Sequence, residues 1–309
     1  MEEIFEPEPE IIRPVKYLAT CSYIGMNYSG FQTQILNGKR IPSIQDALQD
    51  ALKKITKQDT PIHTSSRTDQ GVNALAHPFV FIINRNQNQK ILEPSIIKKS
   101  MNMHLKDAKH QISIENIYYV HLTDFDVKAN SLKKEYNYFI EANLKDNWAN
   151  TFQQHKQVTT MTERIDQEKL NQALQQYVGT HNFQNFTIKA EHISHFGCYV
   201  RTIDSITIEN YSHPFYEEAQ CIKIIFKAKS FLAYQIRFMV GEALQYALGK
   251  LDFDSFLKLL DPPKELTPQE VHENNRIRAQ PRGLMLKRVD YPPEMLSSNL
   301  KDFYPQYCQ

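Results

Sequence analysis

A short polar segment, residues 65–73 (SSRTDQGVN), lies between apolar stretches and contains residue types suited to covalent or acid–base chemistry. Arg67 and Asp69 are two positions apart, so their side chains point the same way on an extended backbone. An arginine beside a carboxylate keeps it ionised even where a bound ligand excludes water. Gly71 permits a sharp turn directly afterwards. The alternative is a structural turn in which Asp69 bonds its own backbone.

Lysines and tyrosines alternate in a second segment, residues 133–138 (KKEYNY). On a β-strand, Lys134, Tyr136 and Tyr138 lie on one face. Aromatic rings beside a lysine can stack on nucleobases while the lysine holds phosphate. The alternative is an amphipathic strand whose tyrosines belong to the core.

A third segment, residues 230–237 (SFLAYQIR), begins a long apolar helix. Phe231 and Leu232 open it, and Arg237 lies on the border of its apolar stripe at about 100° per residue. An arginine at such a border is either solvated or paired on the surface, or it faces Asp69 across a cleft.

Motifs for cofactors and metals are missing from the sequence. It contains no P-loop, no G-x-G-x-x-G after a strand, no H-E-x-x-H and no C-x-x-C. The four cysteines are scattered, as is usual for thiols in a reducing compartment. We therefore expect neither a metal nor a cofactor.

Hydrophobic periodicity predicts the elements that position these segments. Strands are predicted near residues 17–24, 77–84, 112–122, 135–142, 199–209, 220–228 and 284–289, and helices near 43–55, 94–102, 166–178 and 231–248. The first helix carries a capping box, Ser43-x-x-Asp46.

The order of these elements predicts an α+β fold of two similar halves around a central cleft. Helices do not regularly separate the strands, which favours mainly antiparallel or mixed sheets. We place the halves at residues 15–130, which include Asp69, and 131–292. A disordered acidic tail is expected over residues 1–14 and a C-terminal tail over 293–309.

Charge and composition restrict the partners. The net charge of the 309-residue chain is +1, so any affinity for RNA must come from a local basic face. No apolar run approaches the roughly 18 residues that a membrane span requires. The first ten residues (MEEIFEPEPE) resemble neither a secretory signal nor a transit peptide, so we expect a cytoplasmic or nuclear protein, with mitochondria still open.

Taken together, the segments resemble the TruA-type tRNA pseudouridine synthases, and within them the eukaryotic branch. The similarity runs from about residue 17 to residue 292. In chain order, the matching motifs are Tyr23-x-Gly25-x-x-Tyr28-x-Gly30-Phe31-Gln32-x-Gln34, Ser43-Ile44-Gln45-Asp46-Ala47-Leu48, Arg67-Thr68-Asp69-Gln70-Gly71-Val72, Lys134-x-Tyr136-x-Tyr138, Gly179-x-His181-Asn182-Phe183-x-x-Phe186, Arg201-Thr202-Ile203, Phe231-Leu232 through Arg237 with Gly241, and Pro281-Arg282-Gly283-Leu284-x-Leu286.

The chain also departs from the family pattern. Gln70 stands where the family usually has Ala, Asn73 where it often has His, and Ser230 where it usually has Gly. We expect Gln70 and Ser230 to lie near the cleft. A Val127-Lys128 pair replaces the Ala-Arg pair common before the tyrosine strand.

The resemblance implies the pseudouridine synthase fold and an isomerase that converts uridine to pseudouridine in RNA, most simply in the anticodon arm of tRNA. It implies that Asp69 is the catalytic carboxylate, that Tyr136 stacks on the target base and helps to move a proton, and that Arg237 pairs with Asp69. Arg67 is then expected to hold the flipped nucleotide, and a homodimer is expected. The substrate-binding residues expected beside Arg67 are Lys134, Tyr138, Phe231 and Leu232. The alternative is a catalytically impaired family member that serves as an RNA-binding or assembly subunit.

Overall fold

A computed structural model of the chain describes residues 12–86, 88–144, 157–188, 199–214, 216–262 and 276–308. The strands are β1 (Ile12–Tyr23), β2 (Gln34–Leu36), β3 (Lys39–Ile41), β4 (His63–Thr64), β5 (Asn73–Asn86), β6 (Ile112–Val120), β7 (Lys133–Ala142), β8 (Thr159–Thr160), β9 (Gly179–Asn182), β10 (Val200–Tyr211), β11 (Gln220–Ala228) and β12 (Leu284–Asp290). The helices are α1 (Ile44–Thr56), α2 (Pro94–Asp107), α3 (Gln167–Gln176), α4 (Gln235–Ala247) and α5 (Phe253–Leu257).

Local sequence signals explain where the helices begin. Ser43 caps α1, because its hydroxyl accepts from the Asp46 backbone N–H at 3.1 Å, and that hydroxyl also donates to the Asp46 carboxylate at 2.6 Å. The predicted cap is therefore confirmed, although the carboxylate bonds the cap side chain and not its backbone. Within the described residues, no helix has the length and apolar character needed to cross a membrane.

Ten strands form one sheet in the order β6-β1-β5-β12-β7-β11-β10-β9, with β4 beside β5 and β8 beside β7. The pairs are antiparallel except β12 with β5 and β8 with β7. Strands β2 and β3 form a separate hairpin. This large mixed sheet with few helices confirms the predicted α+β class.

Strand β12 lies in the middle of the sheet and fixes the position of the candidate site. It lies between β5 and β7, with Leu286 opposite Ala74 on one side and opposite Tyr136 on the other. The loop that carries Asp69 ends where β5 begins, at Asn73. Tyr136 is therefore brought within two strands of this loop, although more than 60 positions separate them in sequence.

The division into two halves at residues 130 and 131 stays a prediction. Residues 1–11 of the expected acidic tail lie outside the described residues, and residues 12–14 begin β1. Beyond β12, the expected C-terminal tail contacts β1 and β6. The Tyr304 hydroxyl accepts from the Lys16 backbone N–H at 2.9 Å and donates to the Val120 carbonyl at 2.7 Å.

Candidate active site

A cavity of about 320 Å³ opens where the loop before β5, strand β7 and the start of α4 meet. Residues 64–69 line one side, residues 231–236 line the other, and β7 contributes Lys134 and Tyr136. Asp69 is the one carboxylate among the described residues that line it. Across the described part of the chain, no three His, Cys, Asp or Glu side chains cluster as metal ligands would. The cavity is thus a polar, partly basic site built around a single acid.

Backbone hydrogen bonds hold the loop that carries Asp69. The Phe31 N–H donates to the Thr68 carbonyl at 3.1 Å, and the Val72 N–H donates to the Asp69 carbonyl at 3.2 Å. Gly71 follows with φ of +78°, and a Cβ at this position would lie 3.0 Å from the Pro281 side chain. Only glycine fits both this backbone conformation and this close approach. Asp69 is therefore held in a turn whose geometry the sequence enforces.

Behind the loop, the buried His77 forms a polar support. Its Nδ1 lies 2.9 Å from the Tyr23 hydroxyl, which lies 2.7 Å from the Thr68 hydroxyl. Its Nε2 lies 2.8 Å from the Thr64 hydroxyl. The ring also stacks on Phe31, with ring centres 3.9 Å apart. Burial lowers the pKa of His77 to about 3, so this support is neutral at physiological pH.

Helix α4 aims Arg237 at Asp69. Tyr234 precedes the helix with φ of +62°, in the left-handed region. One turn later, Arg237 Nη1 donates to Asp69 Oδ2 at 3.2 Å, while its Nε donates to the Ala279 carbonyl at 2.9 Å. The side chains are 8% and 17% exposed, respectively, so the ion pair is mostly buried. Arg237 is thus fixed by a second acceptor and cannot swing away from the carboxylate freely.

The electrostatics of this pair are dominated by its burial. Desolvation raises the pKa of Asp69, and the charge and hydrogen bond of Arg237 oppose that rise without cancelling it. Desolvation likewise lowers the pKa of Arg237, although Asp69 opposes the change. Both shifts favour the neutral form of their own group, so the cost of burial exceeds the mutual attraction. A carboxylate held in this way is poorly solvated.

Tyr136 forms a wall of the cavity. Its hydroxyl lies 2.7 Å from the Ser66 hydroxyl, and its ring meets Phe231 edge to face with centres 5.4 Å apart. Burial raises the pKa of Tyr136 to about 12, so the phenol keeps its proton at neutral pH. Beside it, Lys134 Nζ donates to the Ser65 carbonyl at 2.5 Å, and burial lowers the pKa of Lys134 to about 8.

Comparisons with known proteins give the family of the chain. A family model described as tRNA pseudouridine synthase matches residues 173–292. A tRNA pseudouridine synthase A from Methylacidiphilum infernorum is 28% identical over 283 residues, covering 92% of this chain and 98% of that protein. A tRNA pseudouridine synthase A from Neorickettsia sennetsu is 30% identical over 280 residues, covering 90% of this chain and 100% of that protein.

The chain belongs to the tRNA pseudouridine synthase A family. This membership confirms the TruA-type family and the enzyme class, pseudouridine synthase, that the motifs predicted. A solved structure of an unknown protein from Galdieria sulphuraria is also similar, at 12% identity over 77% of this chain and 94% of that chain, with a TM-score of 0.21.

Two positions that depart from the family pattern adjoin lining residues in sequence but do not themselves line the cavity. Gln70 is exposed and Ser230 half-buried, and neither lines the cavity. Asn73 has a structural explanation, because its side chain accepts from the Gly25 N–H and donates to the Arg282 carbonyl, both at 2.9 Å. A Cβ on Gly25 would collide with the Val72 carbonyl oxygen. Asn73 therefore joins three segments beneath the Asp69 loop.

The structure brings most of the predicted site residues of this family member together. Those lining the cavity are Asp69, Tyr136, Arg67, Lys134, Phe231 and Leu232. Arg237 does not line the cavity itself, but it donates a hydrogen bond to Asp69, which does. Tyr138 does not line it: the side chain is fully buried, with its hydroxyl 2.6 Å from the Thr159 hydroxyl and 2.8 Å from the Gln280 carbonyl. The substrate-binding role of Tyr138 stays a prediction without a contact that supports it.

Sequence reasoning overlooked three polar groups at the cavity. Ser66 bonds the Tyr136 hydroxyl, and Lys128 and Tyr234 both contribute to the lining. Lys128 belongs to the Val127-Lys128 pair, which departs from the family pattern. That departure was the one feature of the sequence that pointed to Lys128. Nothing local distinguishes Ser66 from Ser65, because the partner of Ser66 lies 70 positions away.

Proposed function

We propose that this chain isomerises uridine to pseudouridine in tRNA, with Asp69 as the carboxylate that acts on the ribose. The observation that carries the proposal is the Asp69–Arg237 ion pair beside a cavity that Tyr136 also lines. Isomerisation exchanges an N–C glycosidic bond for a C–C bond within one nucleotide. It needs neither a redox partner nor a group donor, so one carboxylate and its supports suffice.

Asp69 supplies the covalent step. A carboxylate oxygen bonds to C1′ of the ribose as the bond from C1′ to uracil N1 breaks, and the electrons of that bond leave with the base. The freed base turns within the cavity and C5 attacks C1′, which releases the carboxylate. The hydrogen on C5 is then lost as a proton and N1 gains one. Desolvation of Asp69 strengthens its carboxylate as a nucleophile, and the charge and hydrogen bond of Arg237 favour the ionised form that attacks.

Tyr136 retains its proton at neutral pH and acts through its ring and its hydroxyl. The ring stacks on the base, while the hydroxyl, coupled to Ser66 at 2.7 Å, hands protons between C5 and N1. The Tyr136 and Ser66 hydroxyls together can donate one proton while accepting another, so neither residue has to become charged. Tyr136 is therefore assigned to base positioning and proton transfer.

The basic groups around the cavity hold the nucleotide. Arg67 and Lys128 are exposed and line the cavity together with Lys134, which gives three cations beside a single acid although the whole chain carries +1. Extracting the target base from the stack costs a few kcal/mol, and contacts to the flipped nucleotide offset that cost. Phe231 and Leu232 supply apolar contact for the base.

Substitution of Asp69 by Asn tests the proposal directly. Asp69→Asn keeps the volume and removes the charge, so proton release from C5 of uridine in a tRNA transcript should cease while tRNA binding persists. Asp254→Asn removes one exposed carboxylate from α5 and serves as the control, with activity expected to match the wild type. Residual turnover of Asp69→Asn within about tenfold of wild type, roughly 1.4 kcal/mol in barrier, would rule out Asp69 as the nucleophile.

The substrate position and the cellular context complete the proposal. We propose the anticodon arm of tRNA as the target, a homodimer as the active assembly, and the cytoplasm or nucleus as the location, with membership of the eukaryotic branch. Pseudouridine mapping of cellular RNA with and without the protein identifies the position. If no site depends on the protein while it still binds tRNA, the non-catalytic RNA-binding or assembly subunit is the better assignment. Light scattering of the purified protein measures the assembly.

A further inference from the structure

Residues 276–282 (RIRAQPR) cross α4 beside the ion pair and are held there by hydrogen bonds. The Ala279 N–H donates to the Arg237 carbonyl at 2.9 Å, and the Ile277 N–H donates to the Glu242 carboxylate at 2.5 Å. Gly241 makes this approach possible, because a Cβ there would collide with the Ile277 carbonyl oxygen. The backbone on both sides of residue 278 is thus fixed against the helix that carries Arg237.

The three arginines of this segment differ in what holds their side chains. The Arg276 guanidinium donates to the Asn185 and Thr187 carbonyls, and Arg282 Nε donates to the Gln280 side chain at 2.9 Å. Arg278 is exposed and, among the described residues, makes neither a hydrogen bond nor an ion pair. Its position comes from stacking instead.

The guanidinium of Arg278 lies 4.6 Å from the centre of the Tyr234 ring, and that of Arg237 lies 5.6 Å from the same centre. Tyr234 lines the cavity, whereas Arg278 does not. A stacked guanidinium keeps its N–H edge free for an acceptor, which suits planar two-point recognition of phosphate. Arg278 is therefore held over a ring that lines the cavity, with its N–H donors exposed to solvent beside the cavity.

The local charge also favours an anion at this place. Arg278 is close enough to stabilise the ionised form of Asp69 and to destabilise the charged form of Arg237. Arg278 therefore adds to the positive charge that Arg67, Lys128 and Lys134 already place around the cavity. This excess of positive charge suits a negatively charged RNA phosphodiester. A nucleotide whose base occupies the cavity places its phosphates outside it, at the rim.

We propose that Arg278 is a substrate-positioning residue that binds an RNA phosphodiester next to the flipped uridine, an inference that rests on the proposed function. It acts on binding and leaves the bond-breaking step to Asp69. Removing it should weaken the hold on the RNA without slowing the isomerisation of RNA already bound.

The test compares Arg278→Ala with the wild type on an unmodified tRNA transcript. KM should rise about tenfold, the effect of one lost charged contact, while kcat stays within about twofold. In an Asp69→Asn background, which prevents turnover, the slope of log K against log salt should become shallower by about one. Arg278→Lys should restore the salt slope but only part of KM, because lysine keeps the charge and loses the planar stack.

Lys250→Ala is the matched control. It also removes one positive charge, but just beyond the C-terminal end of α4, which lies roughly 15 Å along the helix from Arg237. There Lys250 pairs with Glu163 at 2.8 Å. KM and the salt slope should match the wild type. The inference about Arg278 is overturned if Arg278→Ala leaves both unchanged, or if it lowers kcat with KM unchanged, which would mean that it acts through Asp69. A wild type that binds tRNA but forms no pseudouridine overturns the proposed function, and the binding measurements then still decide the role of Arg278.

Discussion

The buried ion pair at the site predicts a trade between stability and activity. Arg237→Gln should destabilise the fold, because it leaves the Asp69 carboxylate buried without its cation. Adding Asp69→Asn should restore stability, because two neutral amides can then share a hydrogen bond where the charges were. Both variants should be inactive, because each lacks a residue that the reaction needs. The ion pair is therefore kept for activity and not for the stability of the fold.

The size of the stability loss expected for Arg237→Gln follows from the burial of the Asp69 and Arg237 side chains. Removing one partner of a buried ion pair costs about 3–5 kcal/mol. Asp69 remains 17% exposed at the cavity, so water recovers part of this cost and we expect about 2–3 kcal/mol. At about 2 °C per kcal/mol for a large domain, the melting temperature of Arg237→Gln should fall by about 4–6 °C. The double variant should lie within about 1 kcal/mol of wild type.

The effect depends on pH with a definite sign. Burial raises the pKa of Asp69 in the folded state, and removing Arg237 raises it further because both opposing contributions are lost. A carboxyl group whose pKa is raised in the folded state contributes stability that is fully present below its unfolded pKa of about 3.9. That contribution to stability is lost as the pH rises through the folded-state pKa. The deficit of Arg237→Gln should therefore be small in acid and grow towards neutral pH.

Urea unfolding of the wild type, the single variant and the double variant across this pH range measures the deficit. Glu242→Gln is a useful comparison, because it neutralises another buried carboxyl of α4 that does not contact Asp69. If Arg237→Gln is as stable as the wild type at neutral pH, loss of the cation costs nothing and the reasoning fails. The reasoning also fails if the double variant is the least stable of the three, because the ion pair is then net stabilising.

Three further outcomes are expected. Tyr136→Phe should slow single-turnover isomerisation more than it weakens tRNA binding. Ser66→Ala should show a smaller effect of the same kind. If Tyr136→Phe lowers the affinity for tRNA and leaves the single-turnover rate unchanged, Tyr136 is a binding residue only. His77→Ala should lower stability by about 2–4 kcal/mol in urea unfolding, because it leaves a cavity beside Phe31 and removes one hydrogen-bond partner from each of the Tyr23 and Thr64 hydroxyls. Wild-type stability would contradict the support described for the loop. Chelators should leave pseudouridine formation intact, whereas rising salt should weaken tRNA affinity linearly on logarithmic axes, and a salt-independent affinity would exclude RNA as the partner.

The sequence specified the local features of this protein. The alternation along residues 135–142 predicted a strand, and β7 spans Lys133–Ala142. The Ser43 cap predicted the start of α1, and Gly71 marked the turn after Asp69 where only glycine fits. Such signals lie within a few residues of the structure they encode. The family motifs added the identity of Asp69, Tyr136 and Arg237 as the residues to examine.

Only the tertiary structure decided which of these residues meet. Tyr136 and Tyr138 share one face of β7, yet Tyr136 opens onto the cavity and Tyr138 is enclosed in the core, because the neighbours that cover each ring come from distant segments. Asp69 and Arg237 are 168 positions apart, and β12 has to enter the sheet between β5 and β7 before the loop and the strand of the site lie side by side. Periodicity records which face of an element is buried and carries no information about the partner that buries it. The stacking of Arg278 on Tyr234 could therefore be seen only once the chain was folded.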